Sequence, residues 1–142
     1  MNEPGENRHV YHCPLRWGDM DALGHVNNGR YVDYLQDARV DLLFRTAKEL
    51  GADDLDTGLL VARHEVQYRA PLHFRPEPVR IELWISEIKA ASFTVDYEIL
   101  DVEPRTTYVE ARTKLVPFDF RANRLRRISP DEREALSKLV GS

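Results

Sequence analysis

At 142 residues and 42% hydrophobic content, the chain is long enough for one compact domain over 1–142 but too short to hold a cofactor domain beside a substrate domain. Its 24 acidic and 20 basic side chains leave a net charge of −4, without the positive excess that phosphate-backbone binding needs, so nucleic acid is not an expected partner. The lone Cys13 excludes an intramolecular disulfide, Met1 to Val10 lacks an apolar signal core, and no apolar run nears the roughly 20 residues of a membrane span; a cytoplasmic protein is expected.

Val10 to Trp17 carries β-formers and Pro14, which predicts a first strand that is short or at an edge, because proline cannot donate to a ladder. A polar loop follows from Gly18 to Asn28. Tyr31, Leu35, Ala38 and Leu42, joined by Tyr34, Leu43 and Leu50, then recur with the period of an amphipathic helix, and Arg30, Asp33, Asp37, Arg45 and Lys48 form its other face. The spacing predicts a helix from Asn28 to Leu50, with Asn27 or Asn28 capping its first turn and Gly51 ending it in a left-handed conformation.

Beyond the helix the period falls to two. Leu59 to Tyr68 is one predicted strand. Val79, Ile81, Leu83 and Ile85 alternate with polar residues and Trp84, as do Phe93, Val95, Tyr97 and Ile99 with their neighbours, which predicts antiparallel strands joined around Lys89 to Ala91. Tyr108 to Val116 reads as the last strand, stopping before Pro117. Ser129-Pro130-Asp131 places a cap before proline at a first helical position, so a short helix is expected over about 130–140, after a core of about 8–128. The fold class is therefore α+β, about five strands of curved antiparallel sheet around one long helix. The sheet's two edges invite pairing with another copy.

Gly18 to Asn28 concentrates two aspartates, a histidine, two asparagines and two glycines directly before the helix. A helix start offers unpaired N–H groups and partial positive charge to an oxygen that turns negative during acyl transfer. An aspartate beside it can attack an activated acyl carbon or serve as base toward water. Its ordinary pKa near 3.9 makes it a weak base, so the substrate must be reactive itself, as a thioester is.

The run Arg16-Trp17-Gly18-Asp19-Met20-Asp21-Ala22-Leu23-Gly24-His25-Val26-Asn27-Asn28, with Tyr31 and Tyr34 after it, closely resembles the signature of hot-dog-fold acyl-CoA thioesterases of the 4-hydroxybenzoyl-CoA thioesterase type, which include long-chain acyl-CoA thioesterases. The resemblance extends from about Val10 to Leu136. It implies the hot-dog fold, hydrolysis of an acyl-CoA to free acid and CoA, and self-association as a dimer or tetramer with sites built from two chains. By position it makes Asp21 the catalytic carboxylate and the Asn28 amide the donor that polarises the thioester carbonyl. His25 and Asn27 become pocket residues that orient the thioester or a water. Gly24, Tyr31 and Ser92 are expected against the substrate. Covalent anhydride formation and direct hydrolysis both stay open.

Glu65, after His64 in the strand that follows the helix, is the rival carboxylate, since some hot-dog thioesterases use an acid there. Arg124 and Arg126, in the basic cluster with Arg121 and Arg127, are candidates for the phosphates of CoA; a solvated loop is the bland alternative. Asp19 and Asp21 could equally be plain turn formers. Cys13 has no evident base partner and reads as a buried thiol. His9, His12 and His64-Glu65 lack the spacing of a metal site, and no phosphate loop, dinucleotide fingerprint or nucleophile elbow occurs, so no metal or cofactor is expected. Two other functions share the pocket: a non-catalytic acyl-thioester binding module, and a hot-dog enoyl-thioester hydratase or dehydratase.

Overall fold

The structure, a computed structural model, describes residues 5–55 and 58–142; Met1 to Pro4 of the polar N-terminal stretch lie outside the described residues. Strands β1 (His9–Cys13), β2 (Leu59–Tyr68), β3 (Val79–Ile88), β4 (Phe93–Asp101) and β5 (Thr106–Asp119) form one antiparallel sheet in the order β1-β3-β4-β5-β2, with β6 (Arg124–Leu125) against the end of β5. Alternation decides the faces. Val79, Ile81, Leu83 and Ile85 of β3 and Phe93, Val95, Tyr97 and Ile99 of β4 are buried toward the helix. Their alternates build ion pairs on the outer face, where Glu98 accepts from Arg8 (2.9 Å) and Arg105 (3.0 Å).

The long helix is α1 (Arg30–Val40), continued through a π-helical stretch at Asp41–Thr46 into α2 (Ala47–Glu49). It starts two residues later than the sequence predicts. Tyr31, Tyr34, Leu35, Ala38, Leu42, Leu43 and Ala47 are all at most 3% exposed against the sheet. Burying each large side chain of that stripe is worth about 1.5–3 kcal/mol. The wider π turn keeps Leu42 and Ala47, five residues apart, on the buried side. Gly51 adopts φ 113° and ends the helix, while Ala52 N–H donates to the Ala47 carbonyl (3.0 Å). The curled sheet wrapped around this helix is the hot-dog architecture, as expected.

Two strand ends differ from the sequence reading, each for a backbone reason. β1 stops at Cys13 because Pro14 ends its ladder, and Trp17–Asp19 forms a 3-10 turn instead of strand. β1 is a sheet edge, as Pro14 predicts. β5 passes through Pro117 to Asp119: β4 begins at Phe93, opposite Leu115, so Pro117 has no β4 partner, and its carbonyl accepts the Arg126 N–H (3.2 Å). β6 was not legible at all. α3 (Pro130–Ser137) opens on a full capping box between Ser129 and Glu132 and buries Ala135 and Leu136.

Candidate active site

From the Trp17–Asp19 turn the chain enters the loop before α1. Two anchors hold it: Asn27 N–H donates to the Asp19 carbonyl (2.9 Å), and Val26 N–H to the Leu72 carbonyl (2.8 Å). Inside it, Asp21 N–H donates to the His25 carbonyl (2.8 Å) and Gly24 N–H to the Asp21 carbonyl (3.1 Å). So tight a reversal places Gly24 at φ 85°, which residues with a Cβ rarely adopt.

The two aspartates separate here. The Tyr34 hydroxyl, from the buried stripe of α1, donates to Asp19 Oδ2 at 2.9 Å and so ties the loop to the helix. Burial, reinforced by that carboxylate, pushes the Tyr34 phenol far above its ordinary range. Asp21 keeps 32% of its side chain accessible, with Oδ2 3.2 Å from His25 Nδ1. Its Oδ1 accepts the Leu23 N–H at 2.9 Å and lies 3.4 Å from the His25 nitrogen. Desolvation pushes the Asp21 carboxyl up, but the two N–H groups and the His25 ring outweigh it and hold it below the usual carboxylate range. Asp21 is a turn former and an accessible anion together.

Before the helix, Asn27 Oδ1 accepts the Gly29 N–H (2.9 Å), a local turn ahead of α1; the N-cap is Gly29, without a side-chain cap bond, so neither Asn27 nor Asn28 caps the first turn as the sequence reading expects. The Asn28 carbonyl accepts the Tyr68 hydroxyl (2.8 Å), which fastens the end of β2 to the helix. The Asn28 N–H has no acceptor among the described residues. Asp21, His25, Asn28, Tyr31, Tyr68 and Pro71 line one shallow depression of about 370 Å³. Tyr31 is 3% exposed. Its hydroxyl accepts the Leu72 N–H (3.3 Å) and its ring lies 5.6 Å from that of Tyr68. His25 packs edge-on against His73 at 5.3 Å. An accessible carboxylate and a residue with an unused N–H around one depression are an arrangement suited to acyl transfer.

The remaining candidates lie elsewhere in the single chain. Gly24 and Asn27 shape the loop without lining the depression. Glu65 sits on the outer face of β2, paired with Arg63 and half exposed. It shares a second depression, of about 210 Å³, with Ser92, Lys89, Arg112 and Lys114. Ser92 is buried, and its carbonyl closes the β3–β4 turn by accepting the Lys89 N–H (2.8 Å). Arg124 is exposed on β6, and Arg126 grips the carboxylate of Glu132 through both terminal nitrogens at 2.7 Å. Neither borders the depression at Asp21. Tyr68 and His73 were missed by sequence reasoning; nothing in the strand pattern of Leu59 to Tyr68 signals that a strand-end hydroxyl reaches Asn28.

Residues 15–136 match the family model described as the thioesterase-like superfamily. The chain belongs to that superfamily. Membership makes it a thioester hydrolase, and solved structures agree in fold. A candidate thioesterase from Pseudomonas aeruginosa, the PA2801 protein, is 34% identical, with 89% of this chain and 96% of that one covered at a TM-score of 0.75. A predicted thioesterase from Bacillus stearothermophilus superimposes at a TM-score of 0.80 with 22% identity over 94% of this chain and 96% of its own. A Thermus thermophilus thioesterase, solved in complex with coenzyme A and zinc, is 22% identical over 96% of both chains at 0.77. No curated protein matches. Among the described residues no helix is long and apolar enough to cross a membrane.

Proposed function

We propose that the chain hydrolyses an acyl-CoA to the free acid and CoA at the Asp21 depression, in the manner of the 4-hydroxybenzoyl-CoA thioesterase type. One observation carries the reading: Asp21, with its accessible carboxylate, and Asn28, whose N–H has no acceptor among the described residues, line the same depression just before α1. The Asn28 N–H would donate to the thioester oxygen as it becomes negative, while Asp21 either takes a proton from the attacking water or adds to the acyl carbon itself. In both routes the carbon–sulfur bond breaks, the thiolate leaves, and water supplies the second oxygen of the acid. His25, 3.2 Å from Asp21 Oδ2, would orient the carboxylate. The coenzyme A in the Thermus thermophilus neighbour supports CoA as the carrier.

Self-association through β2 belongs to the same reading. Its ten residues form a long open edge, and Leu60, Val61 and Tyr68 on it are exposed. The decisive experiment is thiol release across short, long and aromatic acyl-CoAs, run beside Asp21→Asn, with sedimentation giving the assembly state. Saturable binding without thiol release would leave a binding module; loss of enoyl absorbance without thiol would leave a hydratase.

A further inference from the structure

Arg39 is 8% exposed, on the buried side of α1, and no carboxylate pairs with it among the described residues. A buried cation without a counter-ion is costly, so its surroundings matter. Arg39 Nη1 donates to the Tyr97 hydroxyl (3.0 Å), Tyr97 donates to Thr113 Oγ1 (2.8 Å), and Thr113 Oγ1 lies 2.8 Å from His64 Nδ1. A guanidinium can only donate, and the single Tyr97 proton is spent on Thr113. With neutral His64 carrying its proton on Nε2, the Thr113 proton goes to His64 Nδ1. Partial desolvation lowers the His64 pKa even though the residue is exposed, as does the nearby Arg39, which agrees with the neutral form. The network thus ends in a donor, the His64 Nε2–H, on a residue of the exposed edge strand.

This donor cluster lies in line with the reaction end. Tyr31, Leu35 and Arg39 follow one another at intervals of four along one helix face, so Arg39 stands about 12 Å beyond Tyr31. On β2, Tyr68, Val66 and His64 share the side facing the helix, and His64 is about 13 Å from Tyr68. The two stripes meet at Tyr68, whose hydroxyl holds Asn28, and again at Arg39 and His64, joined through Tyr97 and Thr113. On the strand stripe His64 and Tyr68 are exposed and Val66 is only half-buried, so this stripe is accessible along the open edge of β2.

We infer that Arg39, with the His64–Thr113–Tyr97 network, recognises a carboxylate at the far end of the acyl group, which makes α,ω-dicarboxylic acyl-CoAs the preferred substrate class. This rests on the thioesterase reading above, with the acyl chain lying between the two stripes from Asp21 toward Arg39.

The test pairs CoA thioesters of medium-chain dicarboxylic acids with those of monocarboxylic acids of equal carbon number. The wild-type protein is expected to favour the dicarboxylic member in kcat/KM by about tenfold, the size of one charge-assisted hydrogen bond. Arg39→Met should collapse that ratio to about one or invert it, and Tyr97→Phe, which keeps the cation but removes its anchor, should lower it several-fold. A wild-type preference for the methyl-ended member, or a ratio unchanged in both folded variants, overturns the inference. If Arg39→Met fails to fold, Tyr97→Phe decides alone. If no thioester releases thiol, the hydrolase reading falls, and calorimetric binding of the same pairs to wild type and variants decides the Arg39 inference separately.

Discussion

The loop from Gly18 to Asn28 and the outer face of β2, β4 and β5 both gather carboxylates, and they neutralise them differently. On the outer face guanidinium groups do it: Arg112 clasps Asp96 through two nitrogens (2.8 and 2.9 Å), Arg69 holds Glu110 (2.8 Å), and Arg63 holds Glu65. In the loop no arginine or lysine pairs with an aspartate among the described residues; Asp19 is met by a tyrosine hydroxyl and Asp21 by backbone N–H groups and His25. A carboxylate clasped by arginine loses its partner if it accepts a proton or attacks a carbon. Asp21, held by N–H groups on one oxygen, stays anionic while the rest of the group remains accessible.

The largest expected break in this contrast is Asp21→Asn, which should lower kcat/KM for thiol release by about two orders of magnitude or more with an unchanged circular dichroism spectrum. Turnover near wild type would move the chemistry across to the outer face. Tyr34→Phe strips Asp19 of its donor, and urea unfolding should register a loss of about 1–2 kcal/mol while thiol release falls far less than in Asp21→Asn. The pH profile sharpens the contrast further. Because the Asp21 carboxyl is depressed in the folded protein, its acid limb should fall below the ordinary value of about 3.9, and a limb above neutral-side carboxylate values would count against Asp21. By the same sign, the stability it contributes is present above the unfolded pKa and fades as pH drops through the lower folded one; in Asp21→Asn that fading should be absent from acid titrations followed by circular dichroism. The smallest effect belongs to Glu65→Gln, an exposed pair worth about 0–1 kcal/mol, for which thiol release should stay within about twofold.

Most of the fold was legible because periodicity reports burial. The stripe Tyr31, Leu35, Ala38 and Leu42 announced the helix, and the alternations of β3 and β4 announced the sheet. Gly51 and Ser129-Pro130 marked ends, because a left-handed residue and a capping oxygen are local requirements. Pro117 misled: whether a missing N–H matters depends on which neighbour that residue faces, and that is set by where β4 begins. Around the site, the loop composition nominated Asp21 and Asn28 together, but could not separate Asp21 from Asp19 on physical grounds.

The sequence by itself determined the elements, the order in which they follow one another, and the polar segment where a carboxylate precedes a helix start, since each of these depends on residues within a few positions of one another. Only the tertiary structure decided that Tyr34 claims Asp19, that Tyr68 reaches Asn28 across 40 positions, that Glu65 faces outward, and that Arg39 lies buried with no acid paired to it among the described residues. Those contacts join residues far apart in the chain, and only the closing of the sheet around the helix brings them within hydrogen-bonding distance.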